Sequence, residues 1–129
     1  MRVIETSQIR NIALAGHTQT GKTSLAEAVI WSMKQADHLG KIEDGNTVSD
    51  YDPEEIRRHA SIQTSIVAVE YEDIRINLLD TPGYRDFIGE IKQGIRVSEG
   101  VVLVADATGG LDTGTESAVD LATEYGKPV

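Results

Sequence analysis

The 129-residue chain contains no cysteine. Disulfides are therefore excluded, as are zinc or iron–sulfur sites held by thiolates, and the composition suits a reducing compartment. Aromatic residues are scarce, with one Trp and one Phe, so aliphatic side chains must supply most of the core. No apolar stretch approaches the roughly 18 residues that span a bilayer. The opening residues "MRVIETSQIR" are too polar for a secretory leader. A cytoplasmic location with no membrane contact is the expectation. Positive charge is also in deficit: 12 basic residues stand against 21 acidic ones, a net charge of −9. An acidic surface repels a nucleic acid backbone, so direct binding of RNA or DNA is not expected.

What is present is patterned. "IRNIALA" (Ile9 to Ala15) is short, apolar and followed by glycine, which suits a buried strand. From Gly21 a helix fits, with Leu25, Val29 and Met33 four apart and Ala26 and Ile30 on a neighbouring row. Asp37 to Glu55 lacks sustained periodicity and reads as a long loop. Ser61 to Glu72 and Ile74 to Asp80 are strand-like and nearly contiguous, which predicts an antiparallel hairpin. A helix is expected from about Tyr84 to Val97, with Phe87, Ile91 and Ile95 in register. "GVVLVADA" (Gly100 to Ala107) is another apolar strand. The following helix carries Ala118, Leu121, Ala122 and Tyr125 on one side, and Gly126 and Pro128 end it. Strand, helix, hairpin, helix, strand, helix is the order of an α/β protein with a mainly parallel sheet. Val129 falls where a further strand would begin, so the chain reads as part of a domain.

Between the first strand and first helix lies "GHTQTGKT" (Gly16 to Thr23), which fits G-x-x-x-x-G-K-[ST]. The alternative is a chance match at an ordinary turn, which the strand–loop–helix setting disfavours. In a phosphate loop the glycines let successive N–H groups turn inward, and the helix N-terminus adds partial positive charge. Lys22 can then reach the β- and γ-phosphates, and the Thr23 hydroxyl can ligate Mg²⁺. Kinases, ATPases and GTPases all remain open at this point. "NLLDTPG" (Asn77 to Gly83) narrows the choice. Alone it reads as a β-turn. Beside a phosphate loop, Asp80 at a strand end can hold Mg²⁺, usually through water, and Gly83 lets its N–H approach a γ-phosphate. A loop held that way is released once the phosphate leaves.

These residues carry a resemblance. From "NIALAGHTQTGKTSLAEA" through "DTPGYRDFIGEI" and "GVVLVADATGGLDTGTE", the chain resembles the amino-terminal part of the GTPase domain of translational GTPases of the elongation factor G family. "GNTVSDYDPEEIRRHASI" lines up with that family's first switch region. The resemblance implies a Ras-like P-loop fold, a doubly wound, mainly parallel sheet with helices on both faces. It implies GTP and Mg²⁺ as ligands, and hydrolysis coupled to ribosome-associated movement in the longer protein. Nucleotide contacts are implied along the loop, at Gly16, His17, Thr18, Gln19, Thr20, Gly21, Lys22, Thr23 and Ser24, and at Asp80 and Gly83. Metal contacts are implied at Thr23, Ser61 and Asp80. Lys22 and Tyr84 take the catalytic positions.

The chain departs from that family at three places. The family's "RGIT" is "RHAS" here (Arg58 to Ser61), with Ser61 retaining the hydroxyl. Gln19 replaces a commonly found aspartate. Tyr84 stands where a histidine positions the attacking water; a phenol with an ordinary pKa near 10 does not share the proton-linked role of an imidazole. A divergent paralogue is expected, with a slow or non-hydrolysing nucleotide switch or ribosome-protection module as one alternative and an ATP-using P-loop enzyme as another. No N-K-x-D stretch, which reads guanine in this superfamily, occurs in the chain. Arg57 and Arg58 read as a solvated charged face, Asp106 as a structural turn, and His38 and His59 as exposed and without metal-like spacing.

Overall fold

The structure, a computed structural model, describes residues 4–129. In chain order its elements are β1 (Ile9–Ala15), α1 (Lys22–Ser32), α2 (Pro53–Arg58), β2 (Ser65–Tyr71), β3 (Ile74–Asp80), α3 (Ile88–Val97), β4 (Gly100–Leu103) and α4 (Thr113–Glu124). The strands form one sheet in the order β2-β3-β1-β4. β1 is parallel to both β3 and β4, and β2 is antiparallel to β3. A two-residue connection, Glu72 and Asp73, closes the hairpin, with Glu72 at φ +52°.

β1 is central because its second half is apolar towards both faces. Ala13, Leu14 and Ala15 are all buried, which requires a helical layer on each side. On one side α1 packs, and Ile30 joins Val67, Val69 and Leu78. On the other, α3 and α4 bring Ile91, Ile95, Ala118, Leu121 and Ala122 against Ala13, Ala15, Leu79 and Val101. Gly94 lets α3 approach the sheet end, since a Cβ there would lie 2.7 Å from Thr81 Cγ2. This is the expected α/β fold. The chain passes from β1 to one neighbour, β3, and then crosses to the other, β4. The C-terminal end of β1 is thereby a point where strand order reverses, the place where open α/β sheets bind ligands.

Several boundaries differ from expectation. The buried row of α1 is Ala26 and Ile30, whereas Leu25 is exposed and Val29 only half-buried, because the helix offers the sheet a narrow stripe. The expected loop from Asp37 ends in a helix, α2, nucleated by a capping box: Asp52 accepts from Glu54 N–H and Glu55 reaches back to Asp52 N–H. Six residues are too few for a periodicity to show. β2 begins at Ser65 rather than Ser61, because the backbone N–H groups of Ile62 and Gln63 are taken by Glu55 Oε1 and that of Thr64 by Glu90. β4 stops at Leu103, α3 begins at Ile88 after a short 3₁₀ turn (Arg85–Phe87), and after α4 the chain returns beside β4, where Val101 N–H donates to Pro128 O (2.9 Å). Among the described residues no helix is long and apolar enough to cross a membrane.

Candidate functional site

The loop Gly16 to Gly21 leaves the C-terminal end of β1 and is drawn tight by its own groups. Thr20 Oγ1 and Lys22 Nζ both donate to the His17 carbonyl, at 2.9 and 2.6 Å. Gly16 has φ +143°, and a Cβ there would run into the Val104 carbonyl of the neighbouring chain segment. Gly21, at φ +96°, caps α1 without supplying a side-chain acceptor, so the first amides of the helix are left for another partner. Gly83 sits directly on the loop: a Cβ would collide with the backbone of His17 and Thr18. The turn after β3 thus lies against the phosphate loop, held also by Thr81, whose hydroxyl donates to Leu14 O at 2.7 Å.

Beside this loop a chain of hydroxyls and carboxylates runs through buried space. Thr23 Oγ1 donates to Asp80 Oδ2 at 2.6 Å and lies 3.3 Å from Ser61 Oγ, which donates to Asp50 Oδ1 at 2.6 Å. Lys22, Thr23, Asp50, Ser61 and Asp80 are all buried. Two carboxylate oxygens, Asp80 Oδ1 and Asp50 Oδ2, have no hydrogen-bond partner. Burial pushes Asp80 up to about 6, with Asp50 adding repulsion and the Thr23 bond and Lys22 opposing. Burial likewise raises Asp50 and lowers Lys22, in each case ahead of their neighbours' charges. Two carboxylates out of water against the one Lys22 ammonium leave negative charge that a cation would offset.

The donors are all hard oxygens, the set that suits Mg²⁺. No group of three or more His, Cys, Asp or Glu side chains gathers as a cage among the described residues, so an ion here would share its shell with ligand or solvent oxygens.

A cleft of about 300 Å³ opens onto these groups. Of the residues singled out in the sequence, Thr18, Gln19, Gly21, Lys22, Thr23, Ser24, Ser61 and Gly83 line it. Gly16, His17, Thr20 and Asp80 do not line it: the His17 carbonyl holds Thr20 and Lys22, and Asp80 accepts from Thr23. The His17 ring turns away towards α4, 3.6 Å from Asp112 and against Gly114. Tyr84 is not brought in; its side chain is exposed and outside the cleft wall. Arg57 and Arg58 are exposed and pair with Glu54, and Asp106 makes a local turn by accepting from Thr108 N–H and Oγ1. His38 and His59 are exposed as expected, yet His59 also lines the cleft, and its Nδ1 lies 3.2 Å from Ile42 O. Asp50 is not among the residues the sequence singles out. Its partner Ser61 is 11 residues away and Thr23 lies 38 residues before Ser61, separations that leave no local pattern to read.

Residues 7–129 match the family described as the elongation factor Tu GTP binding domain. An elongation factor G-like protein of Mycobacterium tuberculosis is 37% identical over 120 residues, 93% of this chain and 17% of that protein. Elongation factor G of Thermotoga petrophila is 33% identical over 127 residues, 98% of this chain and 18% of that protein. A crystal structure of a Thermus thermophilus protein superposes with a TM-score of 0.91 at 34% identity, covering 95% of this chain and 18% of that one. The chain spans less than a fifth of the length of these relatives. With the phosphate loop, the turn after β3 and the segment before β2 meeting at one cleft, this chain belongs to the elongation factor Tu GTP binding domain family.

Proposed function

We propose that this chain is the phosphate- and magnesium-holding part of a GTP-hydrolysing translation factor of the elongation factor G kind, acting with the ribosome through the longer protein. The observation that carries the reading is the convergence of Lys22, Thr23, Ser61 and the Gly83 backbone at one cleft, with Asp80 bonded to Thr23 behind it, from three separate stretches of sequence.

In this reading the amides of the loop and of the first turn of α1 bind the β- and γ-phosphates. Lys22 adds its ammonium, already stripped of water and so worth more than an exposed charge. Thr23, Ser61 and Asp80 would hold Mg²⁺, with Asp50 beside them. When bound, the ion neutralises charge developing on the transferred phosphoryl oxygens. Gly83 brings its N–H to the γ-phosphate because nothing larger fits between it and Thr18. Tyr84, one residue on, would orient the attacking water by hydrogen bonding. It lies outside the cleft wall, with its side chain exposed. That observation favours a second reading, a nucleotide switch or ribosome-protection module that hydrolyses slowly or not at all.

The experiment is calorimetry with GTP and ATP in Mg²⁺, followed by turnover with and without ribosomes, on the protein and on Tyr84→His. Tighter GTP binding with ribosome-stimulated turnover supports the first reading. A large rise in turnover in the histidine variant supports the second, and tighter ATP binding ends both.

A further inference from the structure

The site uses the first turn of α1, but the helix carries a second polar residue into the interior one turn later. Glu27 is 1% exposed and lies four residues after Thr23, on the same side of the helix. Its Oε1 accepts from the Val48 N–H, and its Oε2 is buried with no hydrogen-bond partner. Gly40 and Thr47 close over it: a Cβ on Gly40 would lie against both Glu27 Oε2 and the Thr47 backbone. The segment so held is the one that presents Asp50. Val48 itself is half exposed, so its side chain does not secure the backbone.

We infer that Glu27 is a positioning residue for the cleft. Together with Thr23 it bears on the loop at two points that flank Asp50 in the fold: the Glu27 carboxylate accepts from the Val48 N–H, and Thr23 Oγ1 lies in contact with Ser61 Oγ at 3.3 Å, each hydroxyl donating its own proton to a carboxylate. Ser61 completes the circuit by donating to Asp50. One helix face thereby sets both the loop's distance and the direction of the Asp50 carboxylate. This rests on the reading of the cleft as a magnesium–nucleotide site.

The tests are hydrogen exchange at the Val48 amide without nucleotide, and Mg²⁺-dependent GTP binding in Glu27→Ala and Glu27→Gln. Expected are slow exchange at Val48 despite its exposure, at least about tenfold weaker Mg²⁺–GTP binding in the alanine variant, and substantial recovery with glutamine, which keeps the acceptor. Fast exchange at Val48 in the unaltered protein would overturn the inference, and that measurement needs no variant to fold. So would wild-type affinity in a folded Glu27→Ala protein. Equal weakness of folded alanine and glutamine variants would also overturn it. If the unaltered protein binds no GTP, the nucleotide reading fails instead, and the Val48 exchange rate still decides whether Glu27 holds the loop.

Discussion

Asp80→Asn separates what the fold tolerates from what the site needs. Asp80 has no exposed surface, and burial lifts its pKa from the ordinary carboxylate value of 3.8 to about 6. A raised acid means that the folded chain binds its proton more tightly than the unfolded chain. Stability from this group is therefore greatest below pH 4 and is lost as pH rises through the folded pKa near 6. A displacement of about two units corresponds to ~3 kcal/mol lost between those limits. Asparagine is nearly isosteric, can still accept from Thr23, and has no charge to desolvate. In EDTA at pH 8 the variant should melt roughly 10 °C above the unaltered protein, given a few degrees per kcal/mol at this chain length. Below pH 4 the two should converge, and Asp50, which burial also raises, contributes to the slope that remains in the variant. Adding Mg²⁺ and GTP should then raise the melting temperature of the unaltered protein but not of the variant, the trade of stability for function that buried charge in a site predicts. Melting curves by circular dichroism across this pH range give the answer. An asparagine variant no more stable at pH 8, with a pH profile parallel to that of the parent, would refute the argument that Asp80 is held charged at a cost to the fold.

Gly83→Ala should weaken GTP binding at least tenfold in a fluorescent-nucleotide titration, because the new methyl meets the His17 and Thr18 backbone, which has no room to retreat. Thr23→Ala removes the donor to Asp80 and leaves a buried carboxylate without it; binding should lose its dependence on Mg²⁺ concentration, seen in the same titration run with and without the ion. Leu121→Ala, in the core between α4 and the sheet, should cost about 2–5 kcal/mol in urea unfolding while the variant that remains folded binds GTP normally. Glu54→Ala should leave melting temperature unchanged, since its pairs with Arg57 and Arg58 are exposed.

The sequence by itself determined the order of elements and the phosphate loop. A strand apolar on both faces, a glycine loop with Lys22 and Thr23, and a helix are adjacent in the chain, so their relation is local and readable. The hairpin was legible for the same reason, with only Glu72 and Asp73 between its strands. The short helix Pro53–Arg58 was not, because a capping box rather than a repeating apolar face forms it. The tertiary structure alone decided which side chains share the cleft. It turned His17 away towards α4, left Tyr84 exposed outside the cleft, brought Asp50 into it, and set Glu27 against the Val48 backbone nearby, through contacts across 11 to 38 residues. Residue type states what a group can donate or accept; only packing of α1 against the returning loop fixes which of those groups are deprived of water, and desolvation is what raises Asp80 and lowers Lys22.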